Sequence, residues 1–590
     1  MSIYTTKSGA TSILKPFSGA DRERAKTAAA NKVRFATAKE KGLLESIRVA
    51  VEDGNFHFVQ EFTYFIRESD LDDDEFLQVF TDARQIVHHL TPDFISLVEA
   101  LMSLNWKNRD LVIIQAYTDF CVDVMVTHNR YLPIGLIKLI VHWIPADLDS
   151  ADWVNGSPSE RAHMDLKTIH DALNRILTAV PMSFDEVIDA ITSKFPYFKK
   201  PSHVTAGYLF NVLWFIEYKP IFKELILQLV LQKLLVLDVN APRDAIDVET
   251  GENQQPTVNH PIGHTLDICL LMLYKFFDEQ CRIEPKSREE SLSASQVFHM
   301  LLYLFNELLL PSHNIHHVQF VIFQVCGIRS VYWEGFLQML WKKVQNPNAS
   351  AIIRHTAVGY LSSFIARAKF LPLGTITFYL QELSKWAHSY IDDSDEYGQN
   401  CSLKANMVFF SVCQGIFYLI AFRASDLTRC KKDLLFLQSL QLSRLAMCHF
   451  NPLRYCLAPV ATAFAGVTRT HQLAYCHTVL ERNARRKLAT VYGHDKSMSE
   501  EVLETIFPFD PYLLKLSKKY IEPIYLAYHD NETDVVQTVT LPNIRKRGDS
   551  EMIEDDEFIV ADKRQKLLEL SNSEEFDEDC HYGSSINLKK

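Results

Sequence analysis

The residues with the best metal-ligand spacing in the chain are three histidines, His313, His316 and His317. On an α-helix, i, i+3, i+4 spacing places three imidazoles on one face, where they could bind zinc. The alternative is a polar helix start after Pro311, in which the histidines cap and pack. We favour the alternative and predict neither a metal nor a cofactor. Phosphate-binding loops, dinucleotide-binding glycine motifs and nucleophile elbows are also missing from the sequence, so we predict a protein that is not an enzyme.

Two groups of basic residues could contact phosphates or an acidic protein surface. The groups are Arg482, Arg485 and Arg486, and Arg354, Arg367 and Lys369. The first group has i, i+3, i+4 spacing and would share one helix face, for which the alternative is a solvated surface. In the second group Arg354 and Arg367 diverge by about 140° on one helix, since each residue turns the helix by about 100°. We therefore expect DNA contact to be secondary at most.

Four serines have the local sequence of kinase sites. Ser550, Ser571 and Ser573 lie among acidic residues, and Ser157 precedes a proline in a polar loop. A phosphate adds about −1.5 to −2 charges and could repel an acidic partner. We expect one working switch among the four, since most loop serines carry no such role.

The tail contains two basic clusters, Arg545-Lys546-Arg547 and Lys563-Arg564, separated by fifteen residues. This arrangement resembles a bipartite nuclear localisation signal. The sequence therefore predicts a nuclear protein.

The elements that must position these residues are predicted to be helices. Ile353, Tyr360, Leu361 and Phe364 illustrate the helical spacing of apolar residues that recurs from Leu43 to Tyr528. Only 19 Gly and 22 Pro occur in 590 residues, fewer than an all-β protein needs for its turns. Helices in series, with no βαβ alternation, predict an all-α, HEAT-like solenoid.

We divide the chain by composition into three parts. The parts are a basic, mostly flexible segment at 1–40, a helical-repeat domain at 41–530 with polar loops at 146–160 and 240–260, and an acidic, disordered tail at 531–590. Residues 183–186, Ser-Phe-Asp-Glu, predict a capping box at a helix start. A karyopherin-like scaffold or transport adaptor is an alternative that this architecture leaves open.

Charge is concentrated at the ends of the chain. The net charge is −12, and residues 549–579 carry 13 acids against three bases, a local charge of −10. The remainder is therefore near neutral, which favours protein contacts over DNA contacts. We find no signal peptide and no run of eighteen apolar residues, and so expect no membrane association. The 11 cysteines, without a Cys-x-x-Cys pair, predict reduced thiols.

Seven stretches are distinctive as strings. They are KVRF at 32–35, LLVLDVN at 234–240, LLLPSHNIHHVQF at 308–320, LWKKVQNPNASAIIRHTAVGYLSSFIARAKFLPL at 340–373, NPLRYC at 451–456, HQLAYCHTVLERNARR at 471–486 and FPFDPYLLKLSKKYIEPIY at 507–525. Together they resemble the RNA polymerase I-specific transcription initiation factor family, called TIF-IA in animals. The resemblance covers about residues 30–528.

The resemblance implies a HEAT-repeat fold without catalysis. It implies binding to stalk-side subunits of RNA polymerase I, bridging to promoter-bound factors at ribosomal RNA genes, and control by protein kinases and phosphatases in the nucleolus. A serine-bearing surface in the N-terminal half would contact the polymerase, and Ser96, Ser103, Lys107 and Arg109 fall in that region. It also suggests that phosphate at Ser183 could regulate, and that Arg354 to Lys369 could contact polymerase or DNA. A homodimer remains compatible with the sequence.

Overall fold

The structure is a computed structural model that describes residues 41–106, 109–147, 149–246, 260–282, 288–395, 401–492, 503, 507–509 and 511–528. The segments predicted at 1–40 and 531–590 lie outside these ranges, as does most of the loop at 240–260. The chain divides into two compact units between Leu229 and Val230, which we call the N-terminal and C-terminal units. The prediction of an all-α, HEAT-like fold is confirmed, since helices follow one another in series through both units.

The N-terminal unit consists of nine helices and one small hairpin within its described residues. Its elements are α1 (41–53), α2 (His57–Glu68), α3 (Asp73–Gln85), α4 (Ile95–Met102), α5 (Leu111–Thr127), α6 (Leu132–Val141), β1 (Trp153–Val154), β2 (Ser157–Pro158), α7 (Glu160–Ala179), α8 (Phe184–Lys194) and α9 (Ser202–Tyr218). Helix α10 (Lys223–Val239) crosses the boundary between the units. The odd-numbered helices α3, α5, α7 and α9 pack in one row, and α2, α4, α6 and α8 pack in a second row. Such stacking of alternate helices is how serial helix pairs bury a continuous core.

The C-terminal unit continues with shorter and longer helices. They are α11 (Arg243–Ile246), α12 (Pro261–Arg282), α13 (Arg288–Leu304), α14 (Phe320–Cys326), α15 (Ser330–Gln345), α16 (Ala351–Arg367), α17 (Leu373–Asp395), α18 (Met407–Phe422), α19 (Ala424–Leu427), α20 (Lys431–Ser439), α21 (Leu442–Met447), α22 (Pro452–Tyr455), α23 (Ala458–Thr470), α24 (His477–Tyr492) and α25 (Lys518–Ile521). A π-helical turn, Phe305–Leu309, extends α13. Helix α18 is the centre of this unit: every residue from Val408 to Phe422 is buried, and it packs on α16, α17, α22 and α23. A helix that is apolar all round belongs in an interior, as α18 does.

The hairpin occupies the loop predicted at 146–160. Asn155 and Gly156 both have positive φ, 48° and 82°, as a two-residue type I′ turn requires. The register pairs Trp153 with Pro158 and Val154 with Ser157. An Asn-Gly pair is the strongest short signal of a hairpin, although this stretch was predicted to be a loop.

A few helix starts are capped by side chains, those of Asp72, Ser159 and Ser350, although not where a capping box was predicted. Asp72 accepts the backbone N–H of Glu75, and the Glu75 carboxylate accepts that of Asp72, so the capping box opens α3. The prediction of a capping box at Ser183 is wrong. Its φ and ψ are −83° and 26°, and its hydroxyl donates to Val180 O, so no cap is formed at the start of α8. Only 2% of Ser183 is exposed, because this turn is folded into the core.

The three histidines do not share a helix face, so that premise of the metal hypothesis is wrong. Residues 313–317 form an irregular loop ahead of α14. Asp238 organises this loop by accepting the backbone N–H groups of His316, His317 and Val318 and bonding to His317 Nδ1 at 3.0 Å. Burial would raise the pKa of the Asp238 carboxyl, but the hydrogen bond and charge of His317, with the backbone N–H groups, outweigh burial and lower it.

A C-terminal segment, residues 507–509 and 511–528, packs across the C-terminal unit, and we call it the clasp. Phe509 is fully buried among Phe320, Phe323, Tyr360 and Phe364, at ring-centroid distances of 5.4, 5.0, 5.7 and 5.8 Å. The clasp ends in a short antiparallel contact with the end of α16, where Leu526 N–H donates to Arg367 O and Lys369 N–H to Ile524 O. The clasp is therefore held by residues that lie far from it in the sequence.

No single helix in the described ranges has the length and apolar composition needed to cross a membrane. The bent pair Leu111–Thr127 and Asn129–Val141, at 117°, passes that test only when its two parts are taken together. All ten cysteines within the described residues are free thiols.

Glycine at position 207 is required for packing in the N-terminal unit. A Cβ atom built there would lie 2.4 Å from Pro145 Cγ and 3.1 Å from Trp153 Cζ2. Because a proline ring has little freedom to retreat, we expect Gly207→Ala to destabilise this unit by about 1–3 kcal/mol. Gly374→Ala in α17, where nothing lies within 4 Å, is the control, with a change near zero or a gain of up to about 1 kcal/mol. Hydrogen exchange of each unit measures both, and equal protection of Gly207→Ala and wild type would contradict the packing argument.

The stability of the N-terminal unit should fall in mild acid because of a buried histidine, His170. Its nitrogens bond to Tyr218 Oη at 2.8 Å and Asn211 Oδ1 at 3.0 Å. Burial lowers the pKa of His170 to about 4, against an unfolded value of about 6.5. The unfolded chain therefore takes up a proton that the folded unit refuses, and stability decreases as pH falls from 6.5 towards 4.

From pH 7 to pH 5 this difference lowers the free energy of unfolding by about 2 kcal/mol. Hydrogen exchange of α7 and α9 at the two pH values, corrected for intrinsic exchange, measures the loss. His170→Gln removes the titration, so its own loss over the same interval should be smaller by that amount. Equal pH dependence in the two proteins would show that another group is responsible.

Candidate interaction surfaces

Ser96 on α4 and Ser103, the residue that follows α4, are both exposed. Their separation of seven positions is nearly two helical turns, so both side chains point the same way. Ser103 Oγ donates to Glu99 O within that face, and Arg67 donates to Ser96 O from α2. The structure therefore brings these two predicted residues together.

The basic residues predicted beside them do not extend this face. Lys107 lies outside the described residues. The Arg109 guanidinium pairs with Asp73 Oδ1 at 2.6 Å, donates to Leu71 O at 2.8 Å and stacks over Phe76 at 4.3 Å. These contacts join the loop before α5 to the start of α3, and only 20% of the Arg109 side chain is exposed. Its role in the structure is to hold two elements together.

Two apolar residues at the start of α5 add to the exposed surface, and the sequence analysis missed them. Leu111 is 75% exposed and Val112 68% exposed. The opposite face of the same helix buries Ile113, Ile114 and Tyr117, and Tyr117 Oη donates to Met102 O at the end of α4. Apolar residues on both faces of one helical turn were the available signal, since only one face can pack on the unit's core.

The prediction that Arg367 contributes to an exposed basic group is wrong. Arg367 is fully buried, with its guanidinium 4.6 Å from the Phe422 ring and 5.4 Å from the Tyr525 ring. Arg354 is half-buried, donates from Nε to Val344 O and lies over Trp386. Lys369 alone of this group is exposed. Residues 354–369 therefore present no basic stripe. The signal in the sequence was that Arg367 follows a long apolar stretch of the helix, which indicates a buried arginine.

The basic group on α24 is partly available for contacts. Arg482 and Arg485 are exposed on α24, and Arg485 pairs with Glu481 at 3.6 Å on the same helix. Arg486 belongs to α24, but its side chain lies outside the described residues. An exposed i, i+4 ion pair contributes only about 0.3–0.5 kcal/mol, so it leaves these arginines able to bind elsewhere.

The predicted phosphorylation sites differ in accessibility. Ser157 is exposed in β2, whereas Ser183 is buried under the start of α8. Ser550, Ser571 and Ser573 lie outside the described residues, as do Arg545, Lys546, Arg547, Lys563 and Arg564. A kinase could therefore reach Ser157 in the folded unit, while Ser183 would first need local unfolding.

Groups of three or more His, Cys, Asp or Glu side chains placed to hold a metal ion do not occur within the described ranges. The titratable groups with the largest pKa shifts are buried tyrosines and cysteines, such as Cys326, whose pKa burial raises well above its usual value. Buried thiols of this kind are inert rather than nucleophilic.

Comparison with known proteins identifies the family. The profile of the family described as RNA polymerase I specific transcription initiation factor RRN3 matches residues 36–260 and 243–533. The RNA polymerase I-specific transcription initiation factor RRN3 of Mus musculus is 30% identical over 573 residues, covering 89% of this chain and 86% of that protein. The rrn3 protein of Schizosaccharomyces pombe is 26% identical, with 73% of this chain and 76% of that protein covered.

A solved structure agrees at the level of the fold. A crystal structure of RNA polymerase I transcription initiation factor Rrn3 aligns with a TM-score of 0.68 and 19% identity, over 84% of this chain and 98% of that chain. At this identity the likeness concerns the fold, while the family profile and the mouse relative extend through both units. The chain belongs to the RNA polymerase I-specific transcription initiation factor RRN3 family.

Proposed function

We propose that this protein is a non-catalytic adaptor that binds RNA polymerase I and bridges it to promoter-bound factors at ribosomal RNA genes. The observation that carries the proposal is the family match over residues 36–260 and 243–533, together with relatives named as RNA polymerase I-specific initiation factors. Serial helices alone would equally suit a karyopherin-like scaffold. Family membership is what favours the initiation factor.

The polymerase-binding surface that we propose consists of Ser96 and Ser103 on α4 and the exposed first turn of α5, Leu111 and Val112. Its support is the combination of uncharged hydroxyls with two exposed apolar side chains. Protein interfaces commonly join an apolar centre to a polar rim in this way. The surface would dock on stalk-side subunits of the enzyme.

Regulation by phosphorylation follows from the same surface chemistry. A kinase that modifies serines beside this surface would add about −1.5 to −2 charges per site and repel an acidic partner, and a phosphatase would restore binding. Ser157 is a second accessible site, at the tip of the hairpin. The tail serines Ser550, Ser571 and Ser573 extend the same mode of control.

The proposed location is the nucleus and, within it, the nucleolus, where ribosomal RNA genes are transcribed. The basic clusters of the tail would act as the import signal. Arg482 and Arg485 on α24 are available for an acidic protein surface, and DNA contact would be secondary. Self-association as a homodimer is compatible with the proposal.

Charge introduced on α4 should break the association with polymerase. In cells that express the tagged full-length protein, we expect Ser96→Asp with Ser103→Asp to reduce co-purified RNA polymerase I by about tenfold or more, because a tenfold loss corresponds to only about 1.4 kcal/mol of like-charge repulsion. Ser439→Asp is the matched control, since Ser439 is also exposed at a helix end and donates to a carbonyl of its own helix. It should leave recovery unchanged.

Phosphatase treatment tests the binding of polymerase separately from its regulation by phosphorylation. Treatment of wild-type protein should preserve or raise the recovery of polymerase. An absence of association before and after treatment would overturn the proposed function, whereas full recovery with the double variant would overturn only the α4 surface.

A further inference from the structure

The described part of the clasp ends at Tyr528, over the ends of α16 and α18. Leu526 N–H donates to Arg367 O at 2.8 Å, and the ring centroids of Tyr528 and Phe422 lie 5.4 Å apart. Residues 529–590 are therefore tethered to the C-terminal unit at this point.

Four exposed cations lie near this point, and we call them the exit patch. They are Lys369, Arg429, Lys431 and Lys432. The carbonyl of Ala368, next to Lys369, accepts from Arg423 at 2.6 Å. Arg423 pairs with Asp426 at 3.1 Å, and the same carboxylate lies 3.6 Å from Arg429, whose side chain is 78% exposed. The two lysines at the start of α20 follow Arg429 within three positions, so contacts and sequence connect the whole patch to the end of the clasp.

The fold leaves the charge of the exit patch unbalanced. Six cations and two carboxylates, a net charge of +4, occur in residues 367–369, 422–433 and 524–528. Both carboxylates are engaged, since Asp426 contacts two arginines and Asp433 accepts the Cys430 thiol at 2.9 Å. Among the described residues, no carboxylate lies within ion-pair distance of the three lysines. An anionic ligand would therefore be attracted to this surface and would reduce the repulsion between its cations.

The chain itself contains a segment of the opposite charge at a suitable distance along the sequence. Residues 549–562, DSEMIEDDEFIVAD, contain seven acids and no base. A random coil of the twenty residues between Tyr528 and this segment would span about 25 Å, at roughly 5–6 Å times the square root of the residue number. Leu435, one turn beyond the patch on α20, is 56% exposed and suits the apolar residues interspersed among the acids.

We propose that residues 549–562 bind the exit patch of the same molecule and cover it against acidic partners. Tethering makes the contact intramolecular, so a short linker supplies a local concentration in the millimolar range and weak ion pairs suffice. The contact is independent of the proposed role in initiation, since it depends only on the charges and connectivity of this chain.

Carbodiimide crosslinking of the full-length protein tests the contact, because this reagent joins only amines and carboxylates that touch. Lysines of the exit patch should couple to residues 549–562 at least about fivefold more often than the exposed Lys342 and Lys385, since opposite charge and tethering both raise the local concentration. Salt at about 1 M, which shortens the Debye length to about 3 Å, should remove the preference. Equal coupling of all exposed lysines, or coupling confined to Lys546 and Lys563 of the tail itself, would overturn the proposal.

Isotope labelling identifies the molecule that supplies the acidic segment. In an equal mixture of ¹⁵N-labelled and unlabelled protein, both peptides of each crosslinked pair should have the same label. Pairs of mixed label would assign the exit patch to the tail of a second copy and overturn the intramolecular contact.

Reversal of charge in the patch should release the segment. Lys431→Glu with Lys432→Glu should lower coupling of the remaining lysine, Lys369, by about threefold or more, because like charges then oppose the segment. Arg482→Glu with Arg485→Glu on α24 is the matched control, with the same change of charge on another exposed face, and should leave that coupling unchanged. Circular dichroism verifies the fold of both variants. Equal coupling of Lys369 in the first variant and wild type would contradict the contact.

Competition measures whether the segment covers the patch. A fluorescent deca-glutamate peptide should bind the full-length variant Asp555→Asn, Asp556→Asn, Glu557→Gln at least about threefold more tightly than wild type, because the neutralised tail no longer competes. Lys431→Glu with Lys432→Glu in the same variant should abolish this gain. Equal affinity of the neutralised variant and wild type, including no binding to either, would show that the tail does not cover the patch and would overturn the proposal.

Discussion

Phe509→Ala should lower the free energy of unfolding of the C-terminal unit by about 3–5 kcal/mol, the usual cost of emptying a fully buried aromatic site. Phe509 contacts rings from α14 and α16, so its removal leaves a cavity between the clasp and both helices. Its backbone N–H also donates to Ser363 Oγ, and this bond depends on the same docking. Urea unfolding followed by hydrogen exchange of α16 measures the loss.

Phe378→Ala provides the control for the change of side chain. Phe378 is 54% exposed on α17, so the same truncation should cost no more than about 0.5–1 kcal/mol. Comparable losses in the two variants would mean that the clasp contributes little to the stability of the unit.

Local periodicity was enough to predict the helical fold. The apolar residues Tyr360, Leu361 and Phe364, which have helical spacing, are all buried in α16. Helix propensity and amphipathic pattern depend on residues a few positions apart, so both can be identified in a single sequence. The clasp depends on contacts between residues that are hundreds of positions apart, and so does the boundary between the two units. No local pattern in the sequence predicts such contacts.

The buried charged residues explain most of the failures at the level of sites. Asp238, Asp267 and Arg367 each lie within an apolar helical stretch, and a charge in such a place must find partners inside the fold. Arg367 was assigned to the surface from its charge alone, without regard to the apolar residues that surround it in the sequence. Most partners of the two aspartates are backbone N–H groups, which have no sequence signature at all.

The distinctive strings acquire a physical meaning from these contacts. Asp238 of the string at 234–240 binds residues 316–318 of the string at 308–320, and Phe509 of the last string packs on Tyr360 and Phe364 of the longest one. Strings that lie far apart in sequence therefore meet in the C-terminal unit. The polymerase surface proposed on α4 belongs to none of these strings. The resemblance therefore supports the fold more strongly than it supports the choice of contact residues.

Asp267→Asn should destabilise the clasp by about 3–5 kcal/mol, since removal of one partner from a buried charged network has costs of this size. Asp267 is fully buried on α12 and accepts the backbone N–H groups of Lys515, Leu516 and Ser517 and the hydroxyl of Ser517. All four partners are donors. An amide NH₂ in place of one oxygen would face donors with a donor and leave them unsatisfied.

Glu279→Gln on the same helix is the matched control. Glu279 forms an exposed pair with Lys275 at 3.9 Å, so its neutralisation should change stability by less than about 0.5 kcal/mol. Limited proteolysis should cut the Asp267→Asn protein within the clasp before it cuts the rest of either unit, while the Glu279→Gln protein should resist like wild type. Equal resistance of all three proteins would contradict the anchoring role of Asp267.

Combination of Asp267→Asn with Phe509→Ala distinguishes a single clasp from two separate contacts. If the clasp docks and undocks as one element, either substitution releases both sites, and the double variant should lose less stability than the sum of the single losses by more than about 1 kcal/mol. Independent local contacts would instead add within about 0.5 kcal/mol, because sites without shared partners do so. The hydrogen bonds of Ser517 to Asp267 and to Tyr512, and the ring contacts of Tyr512 and Phe509 with Phe320, connect the two sites through one stretch of chain. That connection is why we expect the smaller combined loss.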